Sequence, residues 1–179
     1  DYFQIDGKTL LILCEEGEEE YDPMEMLKYG VVIEKVEDQE DLTEEWLEEM
    51  NRKHEPERVV VEYNGMWKVS DFENLKLPGG WGIEQKITTV DASTFQMYLT
   101  NLKPLFVEMV RGADMVLFNR CEDIKPLAGY RRSVKVVSPQ AEVIFEDEQG
   151  EIENIFEDEV PYDLKAPVVE IAKEDYGIW

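Results

Sequence analysis

The sequence is poor in the residues and segments that mark several common protein classes. Its two cysteines, Cys14 and Cys121, lie far apart and outside any C-x-x-C pair, so neither a zinc site nor a disulfide framework is indicated. No secretory signal pattern is seen, and no apolar run approaches the ~18 residues that a membrane span needs. The phosphate-binding motif G-x-x-x-x-G-K-[ST] is absent from the 179 residues. We therefore expect a cytoplasmic protein without direct membrane insertion.

Basic residues are also scarce. The chain has 18 Lys and Arg residues against 42 Asp and Glu residues, a net charge of −24 at pH 7. Binding to nucleic acid or to anionic membranes needs Lys and Arg to neutralise phosphates, so this field excludes both as partners. The same field attracts metal cations or basic proteins, although a solubilising surface is the commoner meaning of such a composition.

What the chain does contain is an alternation of short apolar runs with helical segments. Strands are predicted at residues 9–14, 31–36, 58–62, 84–90, 113–118 and 141–145. This alternation is typical of an α/β fold with a mostly parallel sheet flanked by helices. The apolar runs Val59–Val61 and Val116–Phe118 are expected in the sheet interior. We assign residues 1–145 to this domain. Residues 146–179 are predicted to be an acidic linker and the start of a following segment, with a late strand at Val168–Ile171.

Five stretches near predicted strand ends resemble those of the CobW/HypB/UreG-type P-loop GTPases, most closely the CobW branch. In chain order they are Glu16-Gly17-Glu18 with Asp22, which resembles E-x-G-E-x-x-x-D; Glu62-Tyr63-Asn64-Gly65, which resembles E-T-[TS]-G; Ile87 to Ala92, which resembles V-x-x-V-D-A; Ala113 to Arg120, which resembles A-D-x-[IV]-[LV]-x-N-K; and Ser138 to Ile144, which resembles N-x-x-A-x-[IV]. The resemblance implies an incomplete P-loop NTPase-like domain, whose phosphate-loop strand and helix would precede Asp1.

The resemblance also implies a role for each group of strand-end residues, with GTP and Mg²⁺ as cofactors. The guanine-binding residues would be Asn119, Arg120, Glu122 and Asp123. Glu62 would hold Mg²⁺ through water, and the backbone N–H of Gly65 would approach the γ-phosphate. Glu16, Glu18 and Asp22 would bind Mg²⁺ or a transition metal such as Zn²⁺. Each group also has a plain structural interpretation: turn chemistry for the Asn119 loop, a turn glycine with positive φ at Gly65, and a solvated acidic loop for the proposed metal ligands.

Three departures from the family pattern limit what it implies. The phosphate loop is missing. The interval from Tyr21 to Arg58 has no counterpart of the C-x-C-C metal motif of the CobW branch. The guanine loop carries Glu122 where the family has Asp, with Asp123 beside it, and Arg120 where the family has Lys.

The resemblance implies a GTP-binding protein that couples GTP binding and hydrolysis to metal handling, in a metallochaperone-like role, or to a membrane permease or metalloprotein partner. Phosphoryl transfer in such proteins needs the phosphate-loop Lys and the Ser or Thr that ligates Mg²⁺. Because the 179 residues include neither the phosphate-loop Lys nor the Mg²⁺-ligating Ser or Thr of that loop, we predict no GTP hydrolysis by this chain alone. The competing interpretation is a non-enzymatic acidic α/β interaction module that does not bind nucleotide.

Overall fold

The protein is described by a computed structural model that covers residues 7–15, 21–124 and 126–152. The strands in these ranges are β1 (Thr9–Leu13), β2 (Val31–Lys35), β3 (Arg58–Glu62), β4 (Ile87–Asp91), β5 (Met115–Asn119), β6 (Glu142–Asp147) and β7 (Gly150–Glu151). The helices are α1 (Pro23–Lys28), α2 (Glu44–His54), α3 (Val69–Glu73), α4 (Phe95–Asn101), α5 (Lys103–Arg111) and α6 (Ala128–Val137). The chain divides into two compact units, residues 1–82 and 83–179, and each contains its own sheet. The predicted α/β class with mostly parallel strands and flanking helices is confirmed.

The sheet of the first unit has three parallel strands in the order β2-β1-β3. Its central strand reads TLLIL, and every side chain on it is buried. Such a continuous apolar run suits a strand that is covered on both faces. In this register Leu11 stands opposite Ile33 on one side and Val60 on the other. The predicted strand at residues 9–14 is thus the core strand of this unit.

Helices cover both faces of this sheet. On one face, Leu47 and Met50 of α2 pack in a cluster with Leu10 and Ile12 of β1. On the other face, Met26 of α1 packs in a second cluster with side chains of the sheet. Helix α2 begins after Thr43, whose hydroxyl accepts a 3.1 Å hydrogen bond from the Trp46 N–H and so caps the helix. Full burial of a side chain such as Leu47 stabilises the unit by about 1.5–3 kcal/mol.

The prediction that Val59–Val61 lie in the sheet interior is wrong for the described part of the chain. Strand β3 pairs with β1 alone and forms an edge of the three-stranded sheet. All three valines are half-buried rather than fully buried. An apolar run reports that the faces of a strand are covered, whereas the number of neighbouring strands depends on long-range pairing.

The second unit has a four-stranded sheet in the order β4-β5-β6-β7. Strands β4, β5 and β6 are parallel, and β7 returns antiparallel to β6. The expectation that Val116–Phe118 lie in the sheet interior is confirmed, because β5 has a strand on each side; Val116 and Phe118 are fully buried and Leu117 is half-buried. Phe118 packs with Phe95 of α4 and Phe145 of β6 at 5.0 Å between ring centroids in each case.

The acidic stretch after Phe145 is more ordered than predicted. Strand β6 continues to Asp147, and residues 150–151 form β7 instead of a loop. The Ile152 N–H donates a 2.8 Å hydrogen bond to the Phe145 carbonyl, so backbone pairing closes this hairpin despite its acidic side chains. The predicted strand at Val168–Ile171 lies outside the described residues. Within the described ranges no helix is long and apolar enough to cross a membrane, and the longest, α2, has 11 residues.

Candidate functional site

The loop that follows β5 is held by the two strands beside it. The Ala92 N–H, just after β4, donates a 3.0 Å hydrogen bond to the Asn119 carbonyl. The Cys121 N–H donates a 3.1 Å hydrogen bond to the Glu146 carbonyl on β6, and the Ile124 N–H closes a turn onto the Cys121 carbonyl. Because these strands are parallel, their carboxyl ends meet at one edge of the sheet, where α/β proteins bind ligands. The backbone of the predicted base-reading loop therefore lies at this edge of the sheet.

Arg120 connects this loop to the end of β4. Its backbone lies in the left-handed region with φ of 54°, which is uncommon for a residue with a side chain. Its Nη1 donates a 2.9 Å hydrogen bond to Asp91 Oδ2, and the backbone N–H and hydroxyl of Ser93 donate to Asp91 Oδ1 at 2.8 and 2.6 Å. Burial acts to raise the pKa of Asp91, but the hydrogen bonds from Ser93 and Arg120 outweigh it and the pKa is lowered. Asp91 is therefore an ionised anchor for Arg120 at neutral pH.

A cleft of about 480 Å³ lies beside this loop. Its lining residues are Ser93, Arg120, Glu122, Asp123, Ile124 and Glu148. The cleft is open to solvent, and Arg120, Glu122, Asp123 and Glu148 in its lining are exposed. Of the predicted base-reading residues, Arg120, Glu122 and Asp123 line the cleft, whereas Asn119 is exposed at the strand end and is not part of the lining.

The charges in the cleft favour a ligand that donates hydrogen bonds. Glu122, Asp123 and Glu148 are exposed carboxylates, which act only as acceptors when ionised. Among the described lining residues the cationic side chain is Arg120, which is engaged with Asp91. This described lining therefore suits ligand groups that donate hydrogen bonds, such as N–H groups.

Cys121 packs beneath the loop as a structural residue. Burial, which is the largest effect, raises the pKa of its thiol to about 11, with the charges of Glu122 and Asp147 acting in the same direction against a backbone hydrogen bond from Glu146. The thiol lies 3.5 Å from the Phe118 carbonyl, to which it donates. A thiol in this state is a poor nucleophile at neutral pH.

The predicted catalytic residues Glu62 and Gly65 lie in the first unit, at and just after the end of β3. Burial, followed by the charge of Glu62, raises the pKa of Tyr21. The Gly65 N–H donates a 3.3 Å hydrogen bond to Glu15 Oε2. The Cys14 N–H donates a 2.9 Å hydrogen bond to the Glu62 carbonyl, which joins the ends of β1 and β3. Two loops at the carboxyl edge of this sheet are thus connected.

Gly65 does not need the conformational freedom of glycine. Its φ is outside the positive region in which Gly30 and Gly80 are found. A Cβ added at Gly65 would meet no atom within 4 Å. The interpretation of Gly65 as a turn glycine with positive φ does not hold, and space is left beside its backbone.

The predicted metal ligands are only partly described. Glu16 and Glu18 lie outside the described residues. Asp22 caps α1, where its Oδ1 accepts hydrogen bonds from the N–H groups of Met24 and Glu25 at 2.8 and 3.3 Å. Across the ranges that the structure covers, no group of three or more His, Cys, Asp or Glu side chains is arranged to hold a metal ion. The described role of Asp22 is thus to begin a helix.

Sequence reasoning assigned no role to Ser93 or Glu148 and used Asp91 only as part of a strand motif. The sequence did contain a signal for Ser93, since Asp-x-Ser after a strand is a common local hydrogen-bonded turn. Glu148 is placed at the cleft by the β6–β7 hairpin, which the sequence did not predict. Comparison with known proteins gives no matching family model, no matching curated protein and no matching solved structure.

Proposed function

We propose that the chain is the base-binding part of a guanine-nucleotide-binding protein of the CobW-like P-loop GTPase type. The observation that carries this proposal is the loop from Asn119 to Asp123, which follows an inner strand of a mostly parallel sheet and borders a solvent-open cleft. Its side chains supply the amide and carboxylate that guanine recognition needs. A cytoplasmic location belongs to the proposal and is supported by two free, buried cysteines.

Hydrogen-bond chemistry gives the expected base preference. A carboxylate of Glu122 or Asp123 accepts from guanine N1–H and N2–H₂, whereas adenine presents the bare N1 lone pair at that place. An unpaired polar group in a binding site costs about 1–3 kcal/mol. The NH₂ group of the Asn119 amide, which is exposed at the strand end outside the cleft lining, would donate to the acceptor atoms N7 or O6 of the base. Guanine should therefore be preferred over adenine.

Phosphate and metal binding have less support from the described residues. Mg²⁺ keeps most of its water shell and needs only one or two carboxylates, and the half-buried Glu62 at a strand end fits this requirement. When bound, Mg²⁺ would neutralise phosphate charge. A transition-metal site does not fit the described residues, because the Asp22 side chain caps α1. Coupling to metal handling, to a metalloprotein or to a membrane permease is a proposal that rests on the resemblance alone.

The competing function is a non-enzymatic acidic α/β interaction module that binds no nucleotide. The acidic lining of the cleft supports it, since phosphates would meet the carboxylates of Glu122, Asp123 and Glu148. The net charge of −24 acts in the same direction. The two functions differ in whether guanine compounds occupy the cleft.

Nucleotide titration of the 179-residue chain, followed by amide NMR, tests the proposal. We expect guanosine to shift the signals of residues 119–124, with GTP binding no tighter than the millimolar range, about −4 kcal/mol. Adenosine should bind more weakly. Glu122→Ala should remove about ten-fold of the guanine affinity, and Asp123→Ala should remove less. The matched control is Glu142→Ala, an exposed carboxylate at the opposite end of β6.

Two outcomes would contradict this assignment. Equal shifts with adenosine and guanosine would show that the loop does not select a base. The absence of shifts in residues 119–124 at millimolar guanosine would favour the interaction module. An equal loss of guanosine affinity in Glu122→Ala and Asp123→Ala would show that the base-binding carboxylate is misassigned by one residue, while the site itself would stand.

A further inference from the structure

Helix α1 exposes an unusual amount of apolar surface for its length. None of its six residues is buried, and Met24 and Leu27 are 72% and 56% exposed. The flanking Tyr21 and Tyr29 are 42% and 55% exposed. Single exposed apolar residues are normal, but four large ones within nine residues form a patch of the kind that marks interaction sites. We call these four side chains the α1 apolar surface.

Helix geometry places two of these four side chains next to each other. Met24 and Leu27 are three residues apart, so they are neighbours on one face. Met26 points the other way and packs against the sheet, which attaches the helix to the unit. Asp22 caps the first turn and Lys28 lies in the last turn, so the helix ends are stabilised without help from the exposed apolar side chains. The α1 apolar surface is therefore not needed to form the helix.

Charge decides between the occupants that such a surface could accept. In α1 and its N-cap the carboxylates Asp22 and Glu25 and the cation Lys28 are exposed, and the chain as a whole carries a net charge of −24. A second copy would bring the same charge against itself, and an anionic lipid surface would be repelled. A segment that combines apolar side chains with Lys or Arg would be attracted at the rim while its apolar face covers Met24 and Leu27.

We infer that the α1 apolar surface docks a basic, amphipathic segment of a partner protein. The inference does not depend on nucleotide binding. Burial, and after it the charge of Glu62 at the end of β3, raises the pKa of Tyr21, so this end of the surface lies near the carboxyl edge of the first sheet. A segment seated on Tyr21, Met24 and Leu27 would therefore also lie next to the loop that contains Gly65.

The test is a titration of the 179-residue chain with a fluorescent amphipathic helical peptide composed of Leu and Lys. The double variant Met24→Gln/Leu27→Gln should weaken binding roughly ten-fold or more, because central apolar contacts dominate interface affinity. The matched control is Met97→Gln on α4, which is 63% exposed and has no charged residue within its helix. This control should bind within about two-fold of wild type. Unchanged amide NMR spectra outside residues 21–29 would show that the double variant is folded.

Further arms separate the other occupants. A peptide of Leu and Glu should not bind, and moderate salt should weaken the Leu–Lys peptide because charged rims are screened. Equal losses in the double variant and the Met97→Gln control would overturn the inference. It would also be overturned if the Leu–Glu peptide bound as well, if the surface mediated a concentration-dependent dimer, or if the chain sedimented with phosphatidylglycerol vesicles through Met24 and Leu27.

Discussion

The left-handed backbone at Arg120 allows a sharp test of how the candidate base-reading loop is held. Residues with a Cβ atom pay about 1–2 kcal/mol in this region, and glycine does not. We predict that Arg120→Gly removes this cost and that Arg120→Ala retains it. The glycine variant should therefore be more stable than the alanine variant by about 1 kcal/mol.

Both variants also lose the ion pair with Asp91. The side chains of Arg120 and Asp91 are 58% and 26% exposed, so solvent limits the worth of the pair to about 0.5–1 kcal/mol. In the glycine variant the relief of strain offsets this loss, and stability should stay near that of wild type. In the alanine variant nothing offsets it, and we expect destabilisation of about 0.5–1 kcal/mol.

The assay should be residue-resolved, because a chain with two compact units need not unfold in one step. Native-state hydrogen exchange at the Cys121 amide, which donates to the Glu146 carbonyl, reports on the loop itself. Exchange at Leu11, in the first unit, is the internal control. If the Cys121 amide were as well protected from exchange in Arg120→Ala as in Arg120→Gly, the loop would not be held in the left-handed conformation.

The pH dependence of the same measurement follows from Asp91. Burial raises its pKa, but the hydrogen bonds from Ser93 and Arg120 outweigh burial, and the pKa lies below its ordinary value of 3.8. A carboxyl group with a lowered folded-state pKa stabilises the fold above its unfolded pKa, and the contribution is lost as pH falls through the folded value. Protection at Cys121 should thus be constant above about pH 4 and decline below it. Asp91→Asn should lack this decline.

Two further predictions concern the first unit. Glu34 accepts hydrogen bonds from Lys53 and His54 at 2.8 and 2.7 Å, and these outweigh burial to lower its pKa below 4.5. Glu34→Gln should lower the free energy of unfolding of this unit by about 1 kcal/mol at pH 7, as measured by urea unfolding. The stability difference between wild type and variant should shrink below about pH 4.5, and a difference that is independent of pH would contradict the pairing. Leu47→Ala should lower the free energy of unfolding by about 2–5 kcal/mol because the side chain is fully buried. Leu27→Ala, at an exposed position, should change the urea midpoint little, and equal effects of the two substitutions would contradict the packing described for Leu47.

Much of the fold follows from local patterns in the sequence. The run Thr9–Leu13 has no polar face, so it predicts a strand covered on both sides. Thr43, followed by the helical periodicity of Leu47 and Met50, predicts a capped amphipathic helix. Two helices broken at Pro104 are predicted; two helices are found, but the break falls at Leu102 and Pro104 lies in the first turn of α5. These features depend on residues within a few positions of one another, which is why the sequence alone is sufficient.

The features that the sequence did not determine depend on pairings between distant residues. Whether Val59–Val61 form a central or an edge strand depends on which strands pair with β3, and the periodicity of three valines is the same in both cases. The β6–β7 hairpin forms through backbone hydrogen bonds that are independent of the acidic side chains. The candidate cleft combines Ser93, the loop after Asn119 and Glu148 because three separate strands end at one edge of the sheet. The sequence identified the chemical types in the loop, and only the tertiary structure decided which side chains surround it.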